Sequence, residues 1–173
     1  MQDQDKHDRP GGLFSLTQIR HLMRVEFARA QRYRYPLVAL AVGVDNLRSI
    51  RETAGYGCTE NILGELARLL EGHTRVCDHL GRLVDDQLVA VLPHTDEMGG
   101  RTLAERLVEQ TRELKFDASQ GPERVTVSAG LCCFQAENAL FFDALLDGAR
   151  AALDAAAAAG GDRVAELAPG GSA

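Results

Sequence analysis

The stretch 82–93, RLVDDQLVAVLP, decides the fold, because it places an acidic turn between two apolar segments. A short apolar pair precedes Asp85 and Asp86, and the apolar run 88–92 follows them before a proline. Apolar segments on either side of a short polar connection are typical of a β-hairpin. The sequence therefore predicts a hairpin over residues 77–92, whose tip displays two carboxylates. These carboxylates could hold a metal, or they could be turn residues only, since Asp is favoured in turns.

Segments with helical and strand patterns surround the hairpin. The run 37–44, LVALAVGV, has no polar side chain, which is typical of a central strand covered on both faces. The other predicted elements are, in chain order, helices over residues 15–33, 46–54, 59–71 and 96–115, a strand over 125–134, a helix over 139–159 and an edge strand over 163–167.

This order of elements predicts an α/β fold. We expect a two-layer sandwich of the ferredoxin-like kind, with a five-stranded mixed sheet that includes the hairpin, flanking helices and an additional N-terminal helix. Residues 13–167 form a single domain in this interpretation. The polar segment 1–12 is expected to be disordered, and the tail 168–173 is expected to be flexible.

Composition and charge argue against several classes of protein. The 173-residue chain has a net charge of −6 at pH 7 and no block of basic residues, which disfavours a nucleic-acid partner. No run of about 18 apolar residues and no signal-like N-terminus are present, so we expect no membrane span and a cytoplasmic location. The four cysteines lack C-x-x-C spacing and the five histidines are scattered, so neither set indicates a metal site.

An apolar stripe runs along the predicted N-terminal helix. Its members recur at helical spacing: Ile19, Leu22, Met23, Phe27 and Ala30. Because the later elements suffice to close a two-layer core, part of this helix is expected to project from the domain and to form a contact surface. The sequence therefore predicts a homodimer or a complex with a protein partner through the N-terminal helix.

The chain resembles the GGDEF family, the diguanylate cyclases, over residues 13–167. The family pattern R-x-G-G-D-E-F-x-x-x-L-P falls on the hairpin, and its five signature positions are degenerate here: Val84, Asp85, Asp86, Gln87 and Leu88. Further matches follow the family order: Val44-Asp45-x-Leu47-Arg48-x-Ile50, Gly55-Tyr56, Arg75-x-x-Asp78-x-x-x-Arg82, Leu92-Pro93-x-Thr95, Ala104-Glu105-Arg106 and Val125-Thr126-Val127-Ser128-x-Gly130. The resemblance implies a GGDEF-type sheet.

The resemblance also implies that the family's reaction is lost. The family joins two GTP molecules, using divalent metal and cationic side chains on the leaving phosphates. The family's two metal carboxylates fall on Gly43 and Asp86, so one is missing. Its phosphate-binding lysine and arginine fall on Ala157 and Gly161. By this resemblance the chain is a pseudo-diguanylate cyclase with no catalytic residues, no metal site and no use of Mg²⁺.

The base-binding residues are only partly kept. The guanine-reading asparagine of the family falls on Arg51, which has no hydrogen-bond acceptor in its side chain. Glu60 keeps a carboxylate where the family has an aspartate that contacts guanine. The resemblance therefore implies a base pocket that is half dismantled.

A second family motif is retained. Arg75 and Asp78 match the R-x-x-D motif, which in the family is an inhibitory site that binds cyclic di-GMP, with arginine on a guanine edge or phosphate and aspartate on guanine nitrogens. Arg106 is a candidate second arginine that could stack on the base. The resemblance thus implies a receptor of cyclic di-GMP. The alternative for Arg75 and Asp78 is a surface ion pair, worth about 0–1 kcal/mol.

Two functions from different classes stay open. One is a non-catalytic receptor of cyclic di-GMP, and the other is a protein-interaction or scaffold module with no nucleotide ligand. Typical family members carry a sensory domain upstream, whereas only a short polar segment precedes the first predicted helix here. Signalling is therefore expected to pass through contact with another molecule.

Overall fold

The structure is a computed structural model that describes residues 13–116, 121–134 and 142–167. The helices within these ranges are α1 (Leu16–Tyr33), α2 (Leu47–His73), α3 (Glu97–Glu113) and α4 (Phe142–Ala158). The strands are β1 (Leu37–Val44), β2 (His79–Arg82), β3 (Leu88–Pro93), β4 (Val127–Phe134) and β5 (Val164–Leu167). The expectations for residues 1–12 and 168–173, and for a helical start at residue 139, lie outside the described residues.

The strands form one five-stranded mixed sheet in the order β2-β3-β1-β4-β5. The strand β1 lies at the centre and pairs antiparallel with β3 and β4. β2 pairs antiparallel with β3, and β5 pairs parallel with β4. The predicted α/β fold with a five-stranded mixed sheet and a hairpin is confirmed, and the run 37–44 is its middle strand because its side chains are apolar on both faces.

Helices cover both faces of the sheet, so the sandwich has three layers rather than the predicted two. Leu37, Ala39 and Ala41 of β1 face the layer that contains α1 and α4. The alternate residues Val38 and Leu40 face the layer that contains α2 and α3. Successive side chains of a strand point to opposite faces, so an uninterrupted apolar strand needs a helical layer on each side.

The apolar stripe of α1 is part of the core, and the prediction that it projects from the domain is wrong. Four of its five members, Ile19, Met23, Phe27 and Ala30, are between 0 and 6% exposed. Phe27 packs against Phe134 of β4, with ring centroids 4.7 Å apart. The apolar residues of β1 and β3 on this face need a cover, and α1 provides it together with α4. The stripe therefore offers no surface for a homodimer or a partner.

Local interactions set where the elements near the hairpin begin and end. The side chain of Ser15 caps α1 in a reciprocal capping box with Gln18. The two helices predicted over residues 46–54 and 59–71 are joined in α2, which has a kink at Gly55, where φ is 83°. The first hairpin strand, β2, ends at Arg82, so the apolar residues Leu83 and Val84 follow the strand rather than belong to it. Phe14 pairs with β2, so the chain before α1 lies along that edge of the sheet.

No helix within the described ranges has both the length and the apolar character that a membrane crossing requires.

Candidate functional site

The hairpin turn holds its acidic tip in a defined conformation. The Leu83 amide donates to the Gln87 carbonyl at 2.9 Å, and the Asp86 amide donates to the Leu83 carbonyl at 3.1 Å. Asp86 lies in the left-handed region, with φ 63°. Leu83 and Leu88 anchor the two sides of the turn in the core, whereas Val84 is 88% exposed. Residues 84–88 therefore lie in a hydrogen-bonded turn, and its polar side chains line two clefts.

Two arginines from different elements hold Asp86. A guanidinium nitrogen of Arg51, on α2, lies 2.5 Å from Oδ2 of Asp86. Arg82, at the end of β2, donates to Oδ1 through Nε at 3.1 Å and through a second nitrogen. Burial alone would raise the pKa of Asp86, but the hydrogen bonds from Arg51 and Arg82 outweigh it and hold the pKa below its ordinary value. Both carboxylate oxygens are thus occupied by cations of the chain itself.

Glu60 extends this interaction on the side of α2. Arg82 donates to its two carboxylate oxygens at 2.9 and 2.6 Å, a bidentate pair. These hydrogen bonds hold the pKa of Glu60 below its ordinary value. Arg51, Asp86, Arg82 and Glu60 therefore form one continuous chain of ion pairs, which we call the arginine network. The sequence could not show it, because three of its four members are distant from one another in the chain.

A third arginine occupies the other turn carboxylate. Arg150, on α4, forms an ion pair with Asp85 and donates from Nε to the Gln87 side chain at 3.1 Å. Nothing in the sequence pattern singled out Arg150, since it stands among alanines on a helix 65 residues away. Each carboxylate at the tip of the hairpin is consequently paired with arginine.

The positions that the resemblance assigned to metal and phosphate come together in space. Gly43, Asp86, Ala157 and Gly161 line one cleft of about 410 Å³ between the hairpin turn, β1 and the end of α4. A Cβ atom at Gly43 would meet a methyl group of Leu153 at 3.4 Å. The cleft therefore has no carboxylate at Gly43 and no cation at Ala157 or Gly161.

Asp45 is another carboxylate in this cleft, and it also has partners. Its two oxygens accept from the Thr126 hydroxyl at 2.7 Å, the Ser128 hydroxyl at 2.8 Å and the Asp162 amide at 2.8 Å. These bonds join the ends of β1 and β4 to the loop before β5. Among the described residues, no group of three or more His, Cys, Asp or Glu side chains is arranged to hold a metal ion. Asp45, Asp85 and Asp86, three carboxylates of this cleft, are thus each bonded to other groups of the chain.

A larger cleft, of about 860 Å³, lies between the start of α1, the middle of α2 and the hairpin turn. Its lining includes Glu60, Arg82 and Asp86 of the arginine network and Tyr56. Ser15, Thr17 and Gln18, at the start of α1, also line it. The Arg51 guanidinium lies 5.5 Å from the Tyr56 ring centroid. Arg51 and Glu60, which the resemblance assigned to the base pocket, are therefore brought close together, but both are engaged in ion pairs.

Arg75 and Asp78 lie on a separate surface, in the turn that connects α2 to β2. The Arg75 amide donates to Oδ2 of Asp78 at 2.6 Å, and the Asp78 amide donates to the Arg75 carbonyl at 3.0 Å. Partial burial raises the pKa of Asp78, although the neighbouring amide and guanidinium of Arg75 oppose the rise. Asp78 therefore closes the turn through the backbone of Arg75 rather than through a surface ion pair.

The Arg75 side chain is exposed, and its guanidinium has no hydrogen bond or ion pair to any other described residue. Arg106 is exposed on α3, and within the described ranges no hydrogen bond or ion pair joins it to Arg75 or Asp78. Arg75 and Asp78 thus lie in one turn, whereas Arg106 is an exposed cation on a different element.

Comparisons with known proteins identify relatives of the chain. A family model described as "Diguanylate cyclase, GGDEF domain" matches residues 5–163. The chain is 28% identical over 153 residues to the diguanylate cyclase DgcP of Pseudomonas aeruginosa, covering 88% of this chain and 22% of that protein. It is 30% identical over 95 residues to a diguanylate cyclase of Vibrio cholerae, covering 54% of this chain and 29% of that protein. The chain thus spans between a fifth and a third of these relatives.

Solved structures share the fold. The active GGEEF domain of a diguanylate cyclase from Vibrio cholerae superposes with a TM-score of 0.82 at 23% identity, covering 89% of this chain and 97% of that one. The GGDEF domain of DgcB from Caulobacter crescentus, in complex with c-di-GMP, gives a TM-score of 0.84 at 15% identity, covering 96% and 98%. The diguanylate cyclase SiaD of Pseudomonas aeruginosa, in complex with its activator SiaC, gives 0.83 at 25% identity, covering 92% and 61%.

Proposed function

The chain belongs to the GGDEF domain family of diguanylate cyclases, and from this premise we propose that it is a non-catalytic receptor of cyclic di-GMP that binds the nucleotide at Arg75 and Asp78. The family acts in cyclic di-GMP signalling. The proposal has two parts, which rest on different regions of the molecule. One part concerns the loss of synthesis in the hairpin cleft, and the other concerns binding at the turn before β2.

The arginine network is the observation that supports the loss of synthesis. Phosphoryl transfer from GTP needs divalent metal to neutralise the charge that develops on the phosphates. Here Asp86, the one metal carboxylate that the resemblance leaves, already has both oxygens on Arg51 and Arg82. A metal at Asp86 would have to displace two guanidinium groups in a partly buried setting. It would then find no second carboxylate at Gly43.

The phosphate side of the cleft supports the same conclusion. Ala157 and Gly161 supply no cation, and the other acidic residues of the cleft would repel phosphate: Asp45, Asp85 and Asp154. Removing one preorganised electrostatic contact typically costs about 3–4 kcal/mol of transition-state stabilisation. The chain thus lacks the metal ligand and both cations that the resemblance assigns to the leaving pyrophosphate, and in this proposal it does not synthesise cyclic di-GMP.

The exposed guanidinium of Arg75 supports the receptor role. Cyclic di-GMP carries two phosphates and two guanine edges, each of which accepts hydrogen bonds from arginine in a planar, bidentate geometry. Arg75 has no competing partner among the described residues, and the turn closed by Asp78 fixes where its side chain begins. Oδ1 of Asp78 has only the weak contact of the Cys77 thiol at 4.0 Å among the described residues, so guanine nitrogens would replace it there. Arg106 would contribute by stacking on a base.

Calorimetric titration with cyclic di-GMP tests the receptor role. We expect binding to the wild-type chain, and we expect Arg75→Ala to weaken it at least tenfold, because a charged hydrogen bond is worth about 1.5–3 kcal/mol. The matched control is Arg48→Ala, which removes an arginine side chain that is 93% exposed at the opposite end of α2. Asp78 is less suited to the test, since its loss would also open the turn. Equal affinity of the wild type and Arg75→Ala would refute the receptor role.

The alternative function is a protein-interaction or scaffold module. The commitment of the Asp78 carboxylate to the Arg75 amide favours it, because that bond serves the turn and not a ligand. The same calorimetric series distinguishes the two functions. Titration with GTP should give no heat in either case, and the absence of heat with cyclic di-GMP as well would leave the interaction module as the function of the domain.

A further inference from the structure

The outer face of α1 is strongly cationic. Its inner face is buried, so its arginines point away from the sheet, and Glu26, its only acidic residue, is 6% exposed on the inner side. Arg29 pairs with Glu26. The other exposed arginines of α1 make no ion pair with any described residue: Arg20, Arg24 and Arg32. In a chain of net charge −6, this concentration of positive charge divides the surface into regions of opposite sign.

The outer face of α4 carries the opposite charge. Asp143, Asp147 and Asp154 are exposed and stand four and seven residues apart, so they form one stripe along the helix. None of them makes an ion pair with a described residue. The one arginine of α4, Arg150, is turned toward Asp85 in the hairpin. Ala151, between Asp147 and Asp154, is exposed as well, and its small side chain leaves room for another helix to approach.

The two faces belong to the same side of the molecule. Both α1 and α4 pack on one face of the sheet, in the same cluster of buried residues. The Arg24 guanidinium lies 4.8 Å from the centroid of the Phe142 ring, so the middle of α1 is next to the start of α4. This layer therefore presents a cationic helix next to an acidic helix, both facing outward.

We propose that two copies of the chain associate face to face through the outer surfaces of α1 and α4, with α1 of one copy over α4 of the other. In a two-fold dimer both copies contribute the same surface. A two-fold axis that runs along the helices and between them exchanges their positions, so that each arginine face meets an aspartate face. A two-fold axis across the helices would set arginine against arginine, which repulsion disfavours.

The available area fits a weak, salt-sensitive dimer. An 18-residue helix is about 27 Å long and about 10 Å wide, so two adjacent helices offer roughly 500 Å² per copy. The total of about 1,000 Å² is near the lower limit for specific interfaces. Two exposed apolar side chains of α1, Val25 and Tyr33, would add contact area. A second copy is the occupant that uses both helices, whereas an anionic membrane or a nucleic acid would use α1 alone.

Sedimentation velocity of the full chain tests this interface. We expect a dimer at about 20 mM salt that dissociates at about 500 mM, where the screening length falls to a few ångströms. Two double variants reverse each face: Arg20→Glu with Arg24→Glu, and Asp147→Lys with Asp154→Lys. Each should weaken self-association at least tenfold, while their equimolar mixture should restore a dimer, since unlike charges face each other again.

The control is Arg124→Glu, which reverses an exposed arginine that lies outside α1 and α4 and should leave self-association unchanged. Restoration in the mixture also shows that both double variants are folded. Three results would overturn the proposal: a monomer at every salt concentration, a dimer that the charge reversals do not weaken, or a mixture that stays monomeric. Failure here leaves the receptor role untouched, because Arg75 is not in this interface.

Discussion

At the scale of single residues, the decisive feature is how the acidic side chains of the hairpin are used. Asp is common in turns, and two adjacent aspartates at a hairpin tip fit either a turn or a metal site. The structure gives each of them an arginine partner, Arg150 for Asp85, and Arg51 and Arg82 for Asp86. Removing one of these arginines would leave a buried or half-buried carboxylate without its partner, and this lowers the stability of the fold.

Arg82→Gln should therefore destabilise the protein in a pH-dependent manner. Arg82 bonds two carboxylates, so we expect a loss of about 1–2 kcal/mol at pH 7, after allowance for its 30% exposure. The pKa values of Glu60 and Asp86 are both lowered in the folded state. Their contribution is thus present above the unfolded values, near pH 4, and is lost as the pH falls through the folded values.

Urea unfolding at pH 7 and at about pH 2.5 measures this effect. The difference between the wild type and Arg82→Gln should be large at pH 7 and should shrink in acid. Arg68→Gln is the control, because Arg68 pairs with Glu65 on the exposed face of α2 and should matter little at either pH. A difference that is equal at both pH values would show that Arg82 acts through packing rather than through the two carboxylates.

At the scale of the elements, the molecule depends on close contact between α4 and the sheet. Gly130 of β4 lies directly beneath α4, and a Cβ atom there would be 2.0 Å from the Leu153 amide nitrogen and 2.3 Å from the Ala149 carbonyl oxygen. Both neighbours are backbone atoms of a helix, which cannot move independently. Glycine at this position is what permits α4 to pack on β4 at this distance.

Gly130→Ala should consequently be severely destabilising, by about 3 kcal/mol or more, since overpacking at a rigid contact forces a shift of the helix. Gly72→Ala is the matched control. Gly72 is exposed within α2, with nothing within 4 Å of an added Cβ, so the same substitution should stabilise by about 0.5–1 kcal/mol. Thermal unfolding followed by circular dichroism reports both. A mild effect of Gly130→Ala would mean that α4 packs more loosely than the structure shows.

Much of this element-scale arrangement could be predicted from the sequence, and the remainder depends on tertiary contacts. An eight-residue run without polar side chains directly after a proline is typical of a covered strand, so the middle strand was predictable. Because that strand is apolar on both faces, each face needs a layer of helices. The stripe that contains Ile19 and Met23 covers one of them. The pairs of Asp86 with Arg51 and of Asp85 with Arg150 join residues far apart in the chain, and periodicity carries no information about them.

At the scale of the whole molecule, the chain has the GGDEF fold. The positions that the resemblance assigned to metal and phosphate lie in one cleft, where they are Gly43, Ala157, Gly161 and Asp86, which is held by arginines. Away from this cleft, the guanidinium of Arg75 and the exposed charges Arg20, Arg24, Arg32, Asp143, Asp147 and Asp154 make no ion pair with any residue that the structure describes. We therefore infer that ligand binding and contacts with other molecules, rather than synthesis, account for the function of this domain.

The most direct measurement of this inference is an assay of synthesis by the purified protein. The chain is incubated with GTP and Mg²⁺ or Mn²⁺, and cyclic di-GMP is quantified by mass spectrometry, with Asp86→Ala prepared in parallel to reveal any contaminating cyclase. We predict no cyclic di-GMP above the level without protein for either form. The reason is that the arginine network holds Asp86, and the cleft has no carboxylate at Gly43 and no cation at Ala157 or Gly161. Cyclic di-GMP that forms with the wild type and disappears in Asp86→Ala would contradict the inference that this domain does not synthesise the nucleotide.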